Sequence, residues 1–187
     1  MATPEDVLIK LTDIIVNPYQ YSIRRGNFIL TEGDTQSKCK QVELKKRGKI
    51  LVLKFDQVLD KTLDILPFFK NIEDVKKICD YIIIYPFKDT DKLFVFICEL
   101  KSTNTNKAGM QVHAGFHFAQ YLINTALRLI RDKKCDIQYR ALIFSMKPLM
   151  KGTTRSISLD YQEFPIPKLK FKHLPCNHTC DIDAYCF

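Results

Sequence analysis

The sequence predicts an α/β fold, and this prediction depends on three apolar runs and one long amphipathic stretch. The runs, at residues 81–85, 93–101 and 137–145, are rich in the β-branched and aromatic residues that favour strands. Between the last two runs, residues 107–131 carry apolar side chains at helical spacing. Strand, strand, helix and strand in this order are typical of a domain whose helices pack against a central sheet.

The N-terminal part of the chain is predicted to form a helix followed by short strands. Residues 4–15 are apolar at helical spacing, and Thr3 precedes them as a suitable N-cap. Three strand-like segments follow, at 27–31, 41–44 and 50–55. The basic turn 45–49 joins the last two, so we expect them to form a hairpin. Three further segments have weaker patterns: 58–69 (helical or irregular), 71–77 (one more helical turn) and 156–161 (a strand).

Length and composition indicate one folded domain. The chain has 187 residues, of which 46% are hydrophobic and 27% charged, as is ordinary for a globular protein. We describe the domain 1–187 as an N-terminal helix and hairpin extension (1–70), a core (73–145) and a basic tail with several cysteines (165–187).

The charge balance favours a polyanionic partner without identifying it. The formal net charge is +8, which attracts phosphate groups, although ribosomal contacts, anionic membrane surfaces or simple solubility would tolerate the same excess. The N-terminus does not resemble a secretion signal, and no apolar run approaches the roughly 20 residues of a membrane span. Seven cysteines, an odd number, suggest reduced and mostly buried thiols. We therefore expect a cytoplasmic protein that does not bind membranes.

Charged residues at the ends of two predicted strands form a candidate site. Glu99 and Lys101 lie two residues apart on a strand, so they emerge on the same face, about 7 Å apart. Asp80 stands at the edge of the preceding strand, and the turn between the strands can bring it beside them. Two carboxylates suit a magnesium ion, and a neighbouring lysine can orient or deprotonate an attacking water. Gln111 lies near the start of the following helix, from which its amide can meet the same site.

These residues resemble the PD-(D/E)xK nuclease superfamily. The match is carried by Cys79-Asp80, by Glu99-Leu100-Lys101 on the next strand and by Gln111 on the next helix, with 73–145 as the catalytic core. The resemblance implies a restriction-endonuclease-like core, a mixed sheet between helices, with Mg²⁺ or Mn²⁺ held by Asp80 and Glu99. It also implies that Lys101 assists the water and that Gln111 matches the helix glutamine of some branches. Cys79 replaces the proline of the family name.

The resemblance implies a metal-dependent endonuclease that hydrolyses phosphodiester bonds in DNA, in restriction or other defence against foreign DNA. Small members often act as homodimers or beside a partner ATPase subunit. Three alternatives stay open: a catalytically inactive nucleic-acid-binding subunit of the same fold, an RNA-cleaving nuclease, and a basic interaction protein in which Glu99 and Lys101 merely form an ion pair. The family's frequent upstream acidic residue has three candidates, Glu43, Asp64 and Glu73, with Glu73 nominally preferred.

Several other residues are candidates for nucleic-acid or metal binding. The candidate nucleic-acid contacts are Lys107, His113, Lys45, Lys46 and Arg47. The basic clusters 128–134 and 168–172 could also line a groove. His113 and His117 share one helical face, where the absence of an intervening glutamate disfavours a zinc-protease site. Near the C-terminus, irregular spacing favours free thiols over a structural Zn²⁺ held by a set of four residues, Cys176, His178, Cys180 and Cys186.

Overall fold

A computed structural model describes most of the chain. The described residues are 2–21, 26–55, 69–70, 72, 74–88, 90–102, 108–131, 135–146, 162–163 and 169–187. The predicted strand 156–161 and nearly all of the weak segment 58–69 lie outside them.

A mixed six-stranded sheet forms the centre of the molecule. Its strands are β3 (Leu51–Lys54), β4 (Tyr81–Pro86), β5 (Lys92–Lys101), β6 (Asp136–Ser145), β7 (Gln162–Glu163) and β8 (Lys170–Pro175), in the spatial order β3-β4-β5-β6-β8-β7. Strands β5, β6 and β8 are parallel, whereas β3, β4 and β5 pair antiparallel, as do β7 and β8. The predicted α/β class, with a mixed central sheet and helices packed on it, is therefore confirmed.

Two helices, α1 (Pro4–Ile14) and α2 (Ala108–Ile130), pack on the same face of the central sheet. Thr3 caps α1 as predicted, because its hydroxyl accepts a hydrogen bond from the backbone of Asp6, whose carboxylate accepts one from Thr3 N. Between α2 and the sheet lie side chains such as Phe116 and Ile97, which share one apolar cluster with the buried face of α1. No membrane-spanning length of apolar helix occurs in the part of the chain that the structure describes.

A second, three-stranded sheet covers the other face, where the resemblance implies helices. It consists of β1 (Asn27–Thr31), β2 (Gln41–Lys45) and β9 (Thr179–Asp181), in the order β1-β2-β9. Its inward side chains, among them Leu30 and Val42, pack against Ile83 and Phe96 of the central sheet. The molecule thus has three layers in the described residues: helices, the central sheet and the small sheet.

The predicted hairpin of β2 and β3 is wrong. Strand β2 pairs with β1 and β9, whereas β3 pairs with β4, so the basic turn connects two different sheets. The burial patterns give the physical reason: all four residues of β3 are buried, as expected for a strand covered on both faces, while β2 alternates between buried and partly exposed residues. A strand covered on both faces belongs to the middle layer.

The segment 165–187 contributes a strand to each sheet, which the sequence analysis did not predict. Lysines at positions 170 and 172 hide the pattern of β8. The side chain of Lys172 is nevertheless buried, with its Nζ 5.7 Å from the ring centroid of Tyr185. The helical turn predicted at 71–77 is also not formed in the described part, where residues 74–76 make a turn and Asp74 has φ 66°.

The expectation of reduced thiols is wrong for Cys39 and Cys176, which form a disulfide, whereas the other five cysteines are free. It joins segments 137 residues apart in the sequence, and its two Cα atoms lie 5.5 Å apart. Two members of the possible zinc set make other contacts: the thiol of Cys180 donates to the carbonyl of Glu43, and that of Cys186 donates to the carbonyl of Ile182.

Candidate functional site

Asp80, Glu99 and Lys101 converge where β4 begins and β5 ends. The carboxylate Oδ2 of Asp80 accepts a hydrogen bond of 2.7 Å from the backbone N of Leu100. In return, the backbone N of Asp80 donates to Oε2 of Glu99 over 3.2 Å. Lys101 Nζ forms an ion pair with Oε1 of Glu99. The structure therefore brings together the three charged residues that the sequence singled out.

The alternation of β5 explains this arrangement. Ile97 lies in the apolar cluster beneath the helices, and residues two and four positions later, Glu99 and Lys101, emerge on the same face. The antiparallel register sets Tyr81 opposite Cys98, which brings Asp80 beside Glu99. The Glu99 side chain is fully buried, whereas that of Lys101 keeps 22% of its surface exposed. The site therefore opens to solvent on the side of the lysine.

Both carboxyl groups are held in a setting that disfavours their charge. Burial raises the pKa of Asp80 well above its ordinary value, and the neighbouring carboxylate of Glu99 raises it further. Burial also raises the pKa of Glu99 to about 7, an effect that exceeds the opposing influence of the Lys101 ammonium group. Two neighbouring carboxyl groups with raised pKa values are a common feature of functional sites, because structure alone seldom requires them.

Helix α2 contacts the segment that leads into Asp80. Nε2 of Gln111 donates to the carbonyl oxygen of Ile78 over 3.4 Å. One helical turn later, Gly115 lies so close to Cys79 that a Cβ atom there would stand 3.0 Å from Cys79 Cβ and 2.9 Å from Cγ2 of Ile97. Gln111 therefore holds the backbone two residues before Asp80, in addition to lying at the predicted helix start.

Glu32 is a third carboxylate near this site, and its sequence pattern did not single it out. Its negative charge raises the pKa of both Asp80 and Glu99, although it is a minor cause in each case. Glu32 directly follows β1, whose last residue, Thr31, exchanges hydrogen bonds of 2.9 and 2.8 Å with the Tyr81 hydroxyl. An acidic residue directly after a strand is the only signal in the sequence, and many solvated residues share it.

Of the three candidates for an upstream acidic residue, only Glu43 lies within the described residues. Glu43 lies on the outer face of the small sheet, where its carboxylate accepts hydrogen bonds from the side chains of Asn27 and Thr179. It therefore faces away from the central sheet and from the site. Asp64 and Glu73 lie outside the described residues.

The basic turn that carries Lys45, Lys46 and Arg47 lies at the far end of β4 from the site. The carbonyl oxygen of Arg47 accepts a hydrogen bond of 2.7 Å from the hydroxyl of Tyr85, five residues beyond Asp80 along an extended chain. That separation corresponds to about 17 Å. The guanidinium group of Arg47 also lies near the carboxylates of Asp181 and Asp183. The structure therefore does not bring these three residues to the site.

The remaining candidates lie on or near α2. Lys107 is outside the described residues. His113 is exposed, and its Nε2 lies 2.8 Å from Nε2 of His117, with which it shares a hydrogen bond on the outer face of the helix. This pairing occupies one ring nitrogen of each histidine.

The donor set at the site fits a hard divalent cation. Magnesium is commonly held by one or two carboxylates while keeping several waters, and Asp80 and Glu99 supply two carboxylates at one position. In the described residues, no group of three or more His, Cys, Asp or Glu side chains has an arrangement suited to holding a metal. A site here would therefore depend on a pair of carboxylates completed by water or by substrate oxygens.

Comparison with known protein families, with curated proteins and with solved structures gives no match for this chain.

Metal affinity should rise with pH in the neutral range. A carboxyl group must lose its proton to bind a cation, and the pKa of Glu99 is about 7. We expect Mn²⁺, measured by titration calorimetry, to bind at least about tenfold more weakly at pH 6 than at pH 8. Equal affinity at the two pH values would contradict Glu99 as a ligand.

The raised pKa of Glu99 should make the metal-free protein less stable as the pH rises. The pKa of Glu99 is about 7 in the folded state, above the 4.5 of an unperturbed glutamate. Its contribution to stability is thus fully present below pH 4.5 and is lost as the pH rises through about 7. Metal binding and stability without metal should therefore change in opposite directions between pH 5 and 8, which thermal melts with and without Mn²⁺ can measure.

Proposed function

We propose that this protein is a magnesium-dependent endonuclease that hydrolyses phosphodiester bonds in DNA. The observation that carries the proposal is the joint position of Asp80, Glu99 and Lys101, which are linked by two backbone hydrogen bonds and one ion pair. A purely structural ion pair of Glu99 with Lys101 would not require a second carboxyl group beside it. Since two neighbouring carboxyl groups disfavour each other's charge, the second carboxyl favours a function that uses it.

Each residue has a distinct role in the proposed reaction. A bound Mg²⁺ would polarise the phosphoryl oxygens and lower the pKa of a coordinated water. Asp80 and Glu99 would hold this cation, with the Leu100 amide fixing one oxygen of Asp80. Lys101, on the open side of the site, would orient the attacking water and offset the charge that develops on the phosphate.

The biological setting that we propose comes from the resemblance to PD-(D/E)xK nucleases. It consists of restriction or other defence against foreign DNA in the cytoplasm, with the protein acting as a homodimer or beside an ATPase subunit.

The test is cleavage of supercoiled plasmid DNA by the purified full chain, with Mg²⁺ or with EDTA. We expect nicked and linear products only with the metal. A structured RNA serves as the parallel substrate, and preferential cleavage of it would replace DNA by RNA in the proposal. DNA binding without cleavage at any metal concentration would instead indicate the inactive binding subunit.

A further inference from the structure

We infer that the loop of residues 32–40, called the Lys38 loop below, is the DNA-contacting surface beside the site. This inference rests on the proposed function and names the surface that the substrate backbone would meet. It replaces the basic turn at 45–47, which lies at the far end of β4. Two sets of contacts and the charges of the loop carry it.

The first set joins the loop directly to the end of β5. The hydroxyl groups of Ser37 and Ser102 lie 2.7 Å apart, and the backbone N of Lys38 donates to Oγ of Ser102 over 2.8 Å. Ser102 immediately follows Lys101. Alternation along the strand points Ser102 to the face opposite Lys101, so the backbone of Lys38 is fixed at the same end of β5 as the site but on the side of the small sheet, while its own side chain is exposed.

The second set fixes the other half of the loop to the C-terminal segment. The side chain of Asn177 accepts hydrogen bonds from the backbone N of Lys40 and of Gln41, at 2.9 and 3.2 Å. Its Nδ2 donates to the carbonyl oxygen of Lys38 over 3.0 Å. The disulfide of Cys39 with Cys176 ties the same segments covalently. A loop held in this way loses little conformational entropy when a ligand binds.

The third observation concerns the charged residues of the loop. The loop carries Lys38 and Lys40 together with Glu32 and Asp34. The carboxylate of Asp34 accepts a hydrogen bond of 2.8 Å from the backbone N of Gln36, within the same turn. Glu32 lies near the carboxylates of the site. Nζ of Lys40 donates to the carbonyl oxygen of Thr35 within the loop, at 2.6 Å, so the exposed Lys38 is the lysine that we assign to the phosphates flanking a bond held at Asp80 and Glu99. Lysine contacts to phosphates supply most of the sequence-independent affinity for DNA.

The experiment compares two charge reversals, Lys38→Glu and Lys45→Glu. Both positions are exposed, and both substitutions lower the net charge of +8 by the same amount. Binding of a short fluorescent DNA duplex is measured by anisotropy in EDTA, at salt concentrations from about 50 to 200 mM. We expect Lys38→Glu to raise the Kd about tenfold and to reduce the salt slope by about one phosphate contact, whereas Lys45→Glu changes the Kd less than about twofold.

Several outcomes would overturn the inference. These are equal losses for the two variants, a larger loss for Lys45→Glu, a wild type that does not bind duplex DNA, and binding of single-stranded RNA alone. Circular dichroism and thermal melts verify that both variants fold. If Lys38→Glu does not fold, Lys38→Ala replaces it, and we expect that variant to lose DNA affinity in the same way but to a smaller extent. Because binding is measured without metal, a Lys38-dependent affinity in a protein that cuts nothing would reject the nuclease and keep the DNA-binding loop.

Discussion

Replacement of Glu99 by glutamine should reduce magnesium-dependent DNA cleavage by at least about 10³-fold. Glutamine has nearly the shape of glutamate, and its carbonyl oxygen can still accept the hydrogen bond from the backbone N of Asp80. It has no negative charge for a cation and none for Lys101. The loss should appear in kcat, since the interactions removed are those that strengthen as charge develops on the phosphate.

The matched control for this prediction is Glu43→Gln. Glu43 is also a strand glutamate whose two oxygens accept hydrogen bonds, but it lies on the outer face of the small sheet. Its replacement should leave cleavage within about twofold of wild type, because it lies away from the site. Glutamine can still accept a hydrogen bond at this partly exposed position, so we expect little change in stability. If Glu99→Gln cleaves DNA normally, Glu99 and Lys101 form a structural ion pair and the nuclease proposal fails.

The variant Lys101→Ala distinguishes two possible roles of Lys101, which are to neutralise Glu99 and to orient the attacking water. If Lys101 only neutralises Glu99, its removal leaves a buried carboxyl group that stays protonated to a higher pH, and activity returns as the pH is raised. If Lys101 orients the water, the loss persists at high pH. We expect the second result, and rate profiles from pH 6 to 9 measure it.

The central strands and α2 could be predicted because the pattern of apolar residues that defines each of them lies within its own segment of the sequence. Each residue of β4 is buried, as are eight consecutive residues of β5, so both read as apolar runs in the sequence itself. The 23 residues of α2 carry a continuous apolar face. Glu99 and Lys101 could be paired for the same reason, because alternation along one strand places them on one face.

Strand partners could not be predicted in the same way. A hydrogen-bonded ladder is formed by backbone groups, so the alternation of β2 indicates a strand with one exposed face but does not identify β1 and β9 as its neighbours. The packing of the small sheet on the central one brings Glu32 near the site and Cys39 beside Cys176. Contacts that depend on the packing of distant segments leave no periodic pattern in the chain.

Gly115→Ala should destabilise the protein by about 2 kcal/mol, although alanine is the better helix former. In an exposed helix this substitution would stabilise by up to about 1 kcal/mol. Here the new Cβ would stand 2.9 Å from Cγ2 of Ile97 and 3.0 Å from Cβ of Cys79, and closer still to the sulfur of Cys79. The helix would have to move away from Ile97 of β5 and from the segment that precedes Asp80. Urea denaturation monitored by circular dichroism measures the change.

The control is a double-mutant cycle with Cys79→Ala, which removes the sulfur atom that the new Cβ would meet first. We expect the double variant to recover part of the stability lost in Gly115→Ala, since the contacts with Ile97 and with Cβ of residue 79 persist. A stabilising effect of Gly115→Ala alone would mean that α2 does not approach the strand this closely. Because α2 also holds Ile78 through Gln111, the same displacement should weaken Mn²⁺ binding at Asp80. A loss of stability with unchanged Mn²⁺ affinity would show instead that β5 alone positions the site.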